Sequence, residues 1–208
     1  MSKKLCKFAV GMALTMPTRH EKFNTKIAKS LPPMNHPLHQ FRFCPKCGSQ
    51  HFVEHNQKSK HCQTCGFTYY FNPSAATVAL ITDAQGRLLV TRRGKEPAQG
   101  TLDLPGGFCD MWETGEEGVA REVREETGLE VTRTQFLFSL PNTYLYSDFL
   151  VHTVDMFFRC QVDSTLGSHA MDDAAELMWI PLQDICPEEF GLDSIRLGVK
   201  KFLANFTI

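Results

Sequence analysis

Several absences narrow the field before any motif is considered. Neither sign of charge dominates: 22 Lys+Arg stand against 23 Asp+Glu, for a net charge of −1. Nothing global therefore marks a dedicated nucleic-acid or membrane-surface protein. No apolar run approaches the roughly 18–20 residues that span a bilayer. No internal repeat is visible, so the chain is not a solenoid or a propeller. Nor is it poor in hydrophobic residues: with 42% apolar and 22% charged residues, it has the composition of a globular protein. Its 208 residues suffice for one sizeable core, or for one domain and a small module.

A disulfide scaffold is a further absence. Of eight cysteines, Cys6, Cys109, Cys160 and Cys186 are scattered. Scattered cysteines suit free thiols in a reducing compartment, so a cytoplasmic protein is expected. The opening "MSKKLCKFAVGMALTMPTRH" has a basic start and a short apolar stretch, Phe8–Met16. It is punctuated by polar residues and lacks a small-x-small cleavage site, which sets it apart from an export signal. Residues 1–40 read as a flexible arm, or in part as a start codon placed too early, with Met34 as the alternative start.

The other four cysteines are paired. Cys44-Pro-Lys-Cys47 and Cys62-Gln-Thr-Cys65 are two tight turns, each aiming two sulfurs at one point. Gly48 and Gly66 follow them, where a left-handed backbone is commonly needed. Two such turns close a tetrahedron suited to Zn²⁺, with all four positions filled, so this metal folds a module and does no chemistry. Residues 41–71 are therefore expected to form a zinc ribbon, with His61 as a reserve ligand. Arg42, Lys46, Lys58 and Lys60 against Glu54 would permit weak contact with a nucleic acid or a phosphate.

From residue 72 the pattern changes. "ATVALITD" and "RLLVTRR" are β-rich runs around the turn signal "DAQG", which predicts a hairpin. Thr114 offers an N-cap with Glu117 as its capping-box partner, and Gly128 a C-terminal stop, which predicts a helix of about 13 residues. Strand candidates "TQFLFSL", "TVDMFFRCQV" and "ELMWIPL" follow. Ile195, Val199, Phe202 and Phe206 recur at helical intervals and predict a closing amphipathic helix. Strands, helix, strands, helix make a mixed α/β sandwich of the α+β type, not a doubly wound sheet.

The helix carries the chemistry. Glu122, Glu125 and Glu126 share one face, and on an exposed helix each like-charge pair costs roughly 0.2–0.5 kcal/mol. Hard divalent cations remove that cost, since Mg²⁺ takes carboxylate oxygens together with waters and substrate phosphates. Arg121 and Glu113 can form a guanidinium–carboxylate clamp that orients the cluster. Gly106 and Gly107 let the backbone approach a metal or a phosphate oxygen.

Gly107, five residues, Glu113, seven residues, Arg121-Glu122-Val123, one residue, Glu125-Glu126, one residue, Gly128-Leu129 matches the Nudix box at every fixed position. Residues 72–208 resemble a Nudix hydrolase domain. The resemblance implies an α/β/α sandwich with a mixed sheet, preceded here by the four-cysteine ribbon. It also implies Mg²⁺- or Mn²⁺-dependent cleavage of the pyrophosphate bond in a nucleoside diphosphate derivative. Carried over, Glu122 and Glu126 are the main metal ligands, Glu125 a further ligand or the base for the attacking water, and Arg121 and Glu113 orienting groups. Gly106 contributes to the metal site through its backbone. Glu176 or Asp173, in an acidic stretch ahead of "LMWIPL", is expected to supply an additional carboxylate.

A ribbon ahead of such a domain is similar to the NADH pyrophosphatase branch, where the ribbon is structural and often associated with dimerisation, so a homodimer is an expectation. That branch carries the signature SQPWPFPxS. Here the stretch is "SLPNTYLYSDFLVHT", in which Ser139 and Pro141 match and the tryptophan and PFP do not. Substrates considered are NAD(H), ADP-ribose and FAD. Tyr144 and Tyr146 are candidates to stack on a base, or to pack a sheet edge, and Arg92 is a candidate phosphate contact. The competing classes are a nucleotide-sensing or nucleic-acid-binding module and an enzyme that removes a NAD cap from RNA.

Overall fold

The computed structural model describes residues 36–164 and 174–206. The chain divides into two compact units that meet in sequence between Asn72 and Pro73.

In the first unit, β1 (Phe52–Asn56), β2 (Ser59–Cys62) and β3 (Thr68–Tyr70) form an antiparallel sheet in that order. Its two cysteine turns repeat one geometry. The Gly48 N–H donates to the Cys44 carbonyl at 2.8 Å, and the Gly66 N–H donates to the Cys62 carbonyl at 2.9 Å. Both glycines are left-handed, with φ of 72° and 74°, as the sequence predicts. Cys44, Phe52 and Cys62 are buried, with Cys65 and Phe67 packed against them. Residues 36–40, assigned to the arm from sequence, belong structurally to the ribbon. Leu38 is fully buried and the His36 ring bonds the Asn56 carbonyl through Nε2 at 2.8 Å. The single apolar residue in a polar stretch gave no periodic signal.

The second unit contains β4 (Ser74–Ile81), β5 (Arg87–Arg93), β6 (Leu102–Asp103), α1 (Gly115–Thr127), β7 (Val131–Tyr146), β8 (Phe149–Val162), β9 (Ala174–Pro181) and α2 (Asp193–Phe206). The strands make two sheets, β4-β8-β7 and β6-β5-β9. β8 runs parallel to β4 and antiparallel to β7, so the first sheet is mixed.

The expected β4–β5 hairpin is only half present. Its turn forms, with the Gly86 N–H donating to the Asp83 carbonyl at 3.1 Å, and one bridge joins Thr82 to Leu88. The strands then part into different sheets. Both are apolar on two faces, and such strands need a neighbour and a cover on each side. Val78, Leu80, Leu88 and Val90 enter one core, together with Phe157 of β8 and Ile195, Val199 and Phe202 of α2. Ala79, Ile81 and Leu89 enter the other, with Phe158 of β8 and Val119 and Val123 of α1. Helices thus cover opposite faces of the strands, and the unit is an α/β/α sandwich. Full burial of Val119 and Val123 contributes about 1.5 kcal/mol each, enough to fix which face of α1 looks outward.

Helix α1 follows its sequence signals closely. The Thr114 hydroxyl accepts from the Glu117 N–H, the Glu117 carboxylate accepts from the Thr114 N–H, and Gly128 closes the helix at φ 71°. The apolar stripe faces the core, so Glu122, Glu125 and Glu126 are left beside the loop that precedes the helix.

Candidate active site

The loop from Leu104 to Thr114 returns over α1 and is tied to it by one arginine. Arg121 Nε donates to Glu113 Oε1 at 2.9 Å and its Nη2 to Glu113 Oε2 at 3.0 Å. The same guanidinium donates to Glu122 Oε1 at 3.0 Å, to Glu125 Oε2 at 2.9 Å, and to the Phe108 carbonyl at 2.9 Å. The clamp anticipated from sequence is present, and it spans more partners than expected. Bonding to Arg121 holds the Glu113 carboxyl below its ordinary range, and bonding to Glu113 raises the guanidinium.

Glu122 differs. Burial pushes its carboxyl up, and the neighbouring Glu125 and Glu113 charges add to this against the opposing pull of Arg121. Gly107 explains how close the loop comes. A Cβ there would stand 2.5 Å from Glu122 Oε1. Next to it, the Gly106 N–H donates to Glu126 Oε2 at 3.1 Å. Gly106 is at φ 152°, and a side chain would strike the Thr77 carbonyl oxygen. Loop backbone, Glu122 and Glu126 therefore converge at one place.

The carboxylates do not collapse onto one point. Among the described residues, the four ribbon cysteines form the one group of three or more candidate ligands lying within 4.8 Å of one another. Glu122 and Glu125 are spread over Arg121, and Glu126 turns to Gly106. The donor set suits a hard cation: oxygen ligands, a raised carboxyl, and a guanidinium that already serves as the positive charge between two of them.

Glu126, Gly106 and Gly107 stand at one side of a cleft of about 370 Å³ between the two sheets. Tyr144 and Tyr146 of β7 line it and Leu145 between them does not; Tyr146, 61% exposed, stands at its rim. The alternation read from sequence thus puts both rings on the cleft side of β7, Tyr144 inside and Tyr146 at the mouth. Arg92 lines it as well, and its Nε donates to Glu176 Oε2 at 2.9 Å. Glu176 lies directly across from Arg92 on β9, so it pairs with that arginine on the β5–β9 sheet. Asp173, the other extra acid considered, lies outside the described residues.

The floor of the cleft was not anticipated. Asp103 of β6 pairs with Arg93, and burial raises its carboxyl against that arginine's pull. Asp155 of β8 accepts from the Thr153 and Ser194 hydroxyls. Asn142 of β7 lies opposite Thr153. Asp103, Asn142, Thr153, Asp155 and Ser194 are buried, and the Asp155 charge adds to the cost of ionising Asp103. Polar residues at core positions of apolar strands were the available signal.

In the ribbon, Cys44 and Cys65 Sγ are 3.8 Å apart and Cys47 and Cys62 Sγ 3.6 Å. A tetrahedron with metal–sulfur bonds of about 2.3 Å has edges of about 3.8 Å, so the four thiols fit a bound metal. Their mutual bonding splits the set. Against the lowering effect of the Ser49 amide, the neighbouring thiols drive Cys47 up to about 12. Cys62, despite burial, is drawn down to about 6 by amides of Cys65 and Thr64. Four sulfurs this close cannot all ionise without a cation. His61 is engaged elsewhere, its Nδ1 bonding Thr68 Oγ1 at 2.9 Å.

The fold and the clamp describe a protein of the Nudix class, and comparison with known proteins agrees. A model of the NUDIX domain family matches residues 72–206, and the chain belongs to that family. It is 34% identical over 106 residues to the NAD-capped RNA hydrolase NudC of Vibrio vulnificus, covering 51% of this chain and 40% of the relative. The protein of that name from Chromobacterium violaceum is 37% identical over 102 residues, covering 49% and 38%. The chain thus spans about two fifths of the length of these relatives. Among solved structures, a NUDIX hydrolase from Nitrosomonas europaea aligns with a TM-score of 0.63 at 21% identity, over 79% of this chain and 92% of its own. The NUDIX domain of Shewanella oneidensis NrtR, solved with ADP ribose, aligns with a TM-score of 0.50 at 22% identity, over 66% of this chain and 91% of its own. These two likenesses show the fold.

Proposed function

We propose that the protein hydrolyses the pyrophosphate bond of a dinucleotide or related nucleoside diphosphate derivative, such as NAD(H), ADP-ribose or FAD. The observation that carries this reading is Glu122: a carboxyl raised by burial, pressed against the Gly107 loop, with Glu126 opening onto the adjoining cleft. Glu122, Glu125 and Glu126 would hold Mg²⁺ or Mn²⁺, which when bound neutralises phosphate charge and lowers the pKa of water. Arg121 and Glu113 hold the glutamates in place. Glu125, more exposed than Glu122 at 46% against 15%, is a further metal ligand or the base for the attacking water. Tyr144 and Tyr146 offer stacking faces in the cleft, and Arg92 a charge for a phosphate. Glu176, already paired with Arg92, is a weaker candidate for the metal site.

The names of the relatives support removal of a NAD cap from RNA as a second reading. In it, Arg42, Lys46 and Lys58 of the ribbon would meet the RNA. The ribbon holds Zn²⁺ at Cys44, Cys47, Cys62 and Cys65, and its thiolates suit the cytoplasm. Pairing of two copies through the ribbon completes the reading. Among the described residues no helix is long and apolar enough to cross a membrane.

The test is turnover of NADH, NAD, ADP-ribose, FAD, dinucleoside polyphosphates and NAD-capped RNA, with products identified, by the native protein and by Glu122→Gln. A monophosphate pair from at least one dinucleotide is expected, falling by two or more orders of magnitude in the variant at unchanged melting temperature. Native-like rates in Glu122→Gln would remove the assignment.

A further inference from the structure

Asn142 is a buried polar residue that the reaction does not use. It is 7% exposed and lines the cleft. Among the described residues its side-chain amide has no hydrogen-bond partner. The one fully occluded side-chain polar atom lacking a partner among these residues is Ser59 Oγ, so the Asn142 amide must open onto the cavity. An amide that opens onto a cavity and has no partner in the fold is free to bond whatever enters that cavity.

Its surroundings specify what it would meet. Tyr144 follows on the same face of β7, and Thr153 is the cross-strand neighbour. Behind them lie the Asp103 and Asp155 carboxylates, already receiving the Leu104 N–H, Arg93, Thr153 and Ser194. An asparagine amide presents a donor beside an acceptor, and it pairs with a group that presents an acceptor beside a donor, as it does with the N6/N7 edge of adenine. Asp103 is already neutralised by Arg93, so Asp155, which has only hydroxyl donors among the bonds named, is the carboxylate that favours an incoming N–H over a carbonyl or carboxylate oxygen.

We propose that Asn142 is a specificity-determining contact that selects a heterocycle bearing an amino or amide nitrogen next to an acceptor, and rejects its oxo or carboxylate counterpart. The inference rests on the dinucleotide reading of this cleft. Two parts of such a substrate share the chemistry, the 6-amino edge of adenine and the carboxamide of nicotinamide, and the arms of the experiment separate them.

Turnover of NAD is compared with that of nicotinic acid adenine dinucleotide and of nicotinamide hypoxanthine dinucleotide, for the native chain and for Asn142→Leu. Leucine is of similar volume and sacrifices no hydrogen bond within the fold, so the variant is expected to melt at or above the native temperature. The native protein should prefer NAD over one of the two analogues by roughly tenfold to a hundredfold in kcat/KM. That analogue identifies the end that is read. In Asn142→Leu the preference should vanish, through KM rather than kcat. A native protein that treats all three alike, or a variant that keeps the preference, overturns the proposal. Calorimetry with AMP, IMP, nicotinamide mononucleotide and nicotinic acid mononucleotide tests the same discrimination without catalysis. Selective binding of one amino or amide member, abolished in Asn142→Leu, supports the contact even if no dinucleotide is hydrolysed, in which case the hydrolase reading alone fails. Binding of none of the four, or equal binding of each pair, overturns it.

Discussion

Gly107→Ala moves one carboxylate and little else. The backbone at Gly107 is not in the left-handed region, and the atoms nearest its missing Cβ all belong to Glu122: Oε1 at 2.5 Å, Cδ at 2.6 Å and Oε2 at 2.8 Å. An ordinary contact begins at 3.4 Å, so the carboxylate must retreat by about 0.9 Å, from 2.5 Å. The clash is with the far end of the Glu122 side chain, so a rotation relieves it at roughly 0.5–1.5 kcal/mol, weakening the bond from Arg121. The melting temperature should therefore fall by only a few degrees. Catalysis is far less tolerant, since a misplacement of about 1 Å can cost about a hundredfold, equivalent to about 2.7 kcal/mol in the barrier. The assay is steady-state hydrolysis of a dinucleotide over a Mg²⁺ titration, beside thermal melting. A hundredfold loss of kcat with a raised Mg²⁺ requirement is expected. Gly106→Ala is the internal contrast: its Cβ would meet the Thr77 backbone at a positive φ, which nothing flexible can relieve, so this variant should lose fold stability as well. If Gly107→Ala kept native turnover and native Mg²⁺ dependence, Glu122 would not be a metal ligand.

Two further outcomes follow from the charges and the thiols. Glu113 titrates below its ordinary 4.5 because Arg121 bonds it; a depressed carboxylate stabilises the fold fully above the unfolded value and loses that contribution as pH falls through the folded one. Glu113→Gln should therefore cost about 1.5 kcal/mol at pH 7, and the gap in melting temperature should narrow as pH falls below the ordinary carboxylate range; no gap at pH 7, or one that widened in acid, would refute the clamp. Cys44→Ser, or a strong chelator, should strip the ribbon of zinc and unfold it, because so few apolar residues accompany the four thiols; zinc loss, measured by atomic emission, without faster amide exchange in residues 44–70 would argue against a structural metal.

The sequence by itself determined what neighbours along the chain decide. A capping box at Thr114 and Glu117, a left-handed stop at Gly128, and an apolar stripe at Val119 and Val123 fix α1 and its outward acidic face. Each is a contact across three or four residues, within the reach of one helical turn. The cysteine turns are legible for the same reason, since Gly48 and Gly66 close rings of five residues. Tertiary structure decided the rest. No local signal says that β4 leaves its hairpin to run parallel with β8, because the choice is made by side chains some 80 residues apart that bury both of its faces. The cleft floor depends on that pairing: Asp103, Asn142 and Asp155 come from three strands, and only the sandwich of two sheets brings their polar ends together. For the same reason Arg92 and Glu176, read separately as a phosphate contact and a metal ligand, turn out to be partners across β5 and β9.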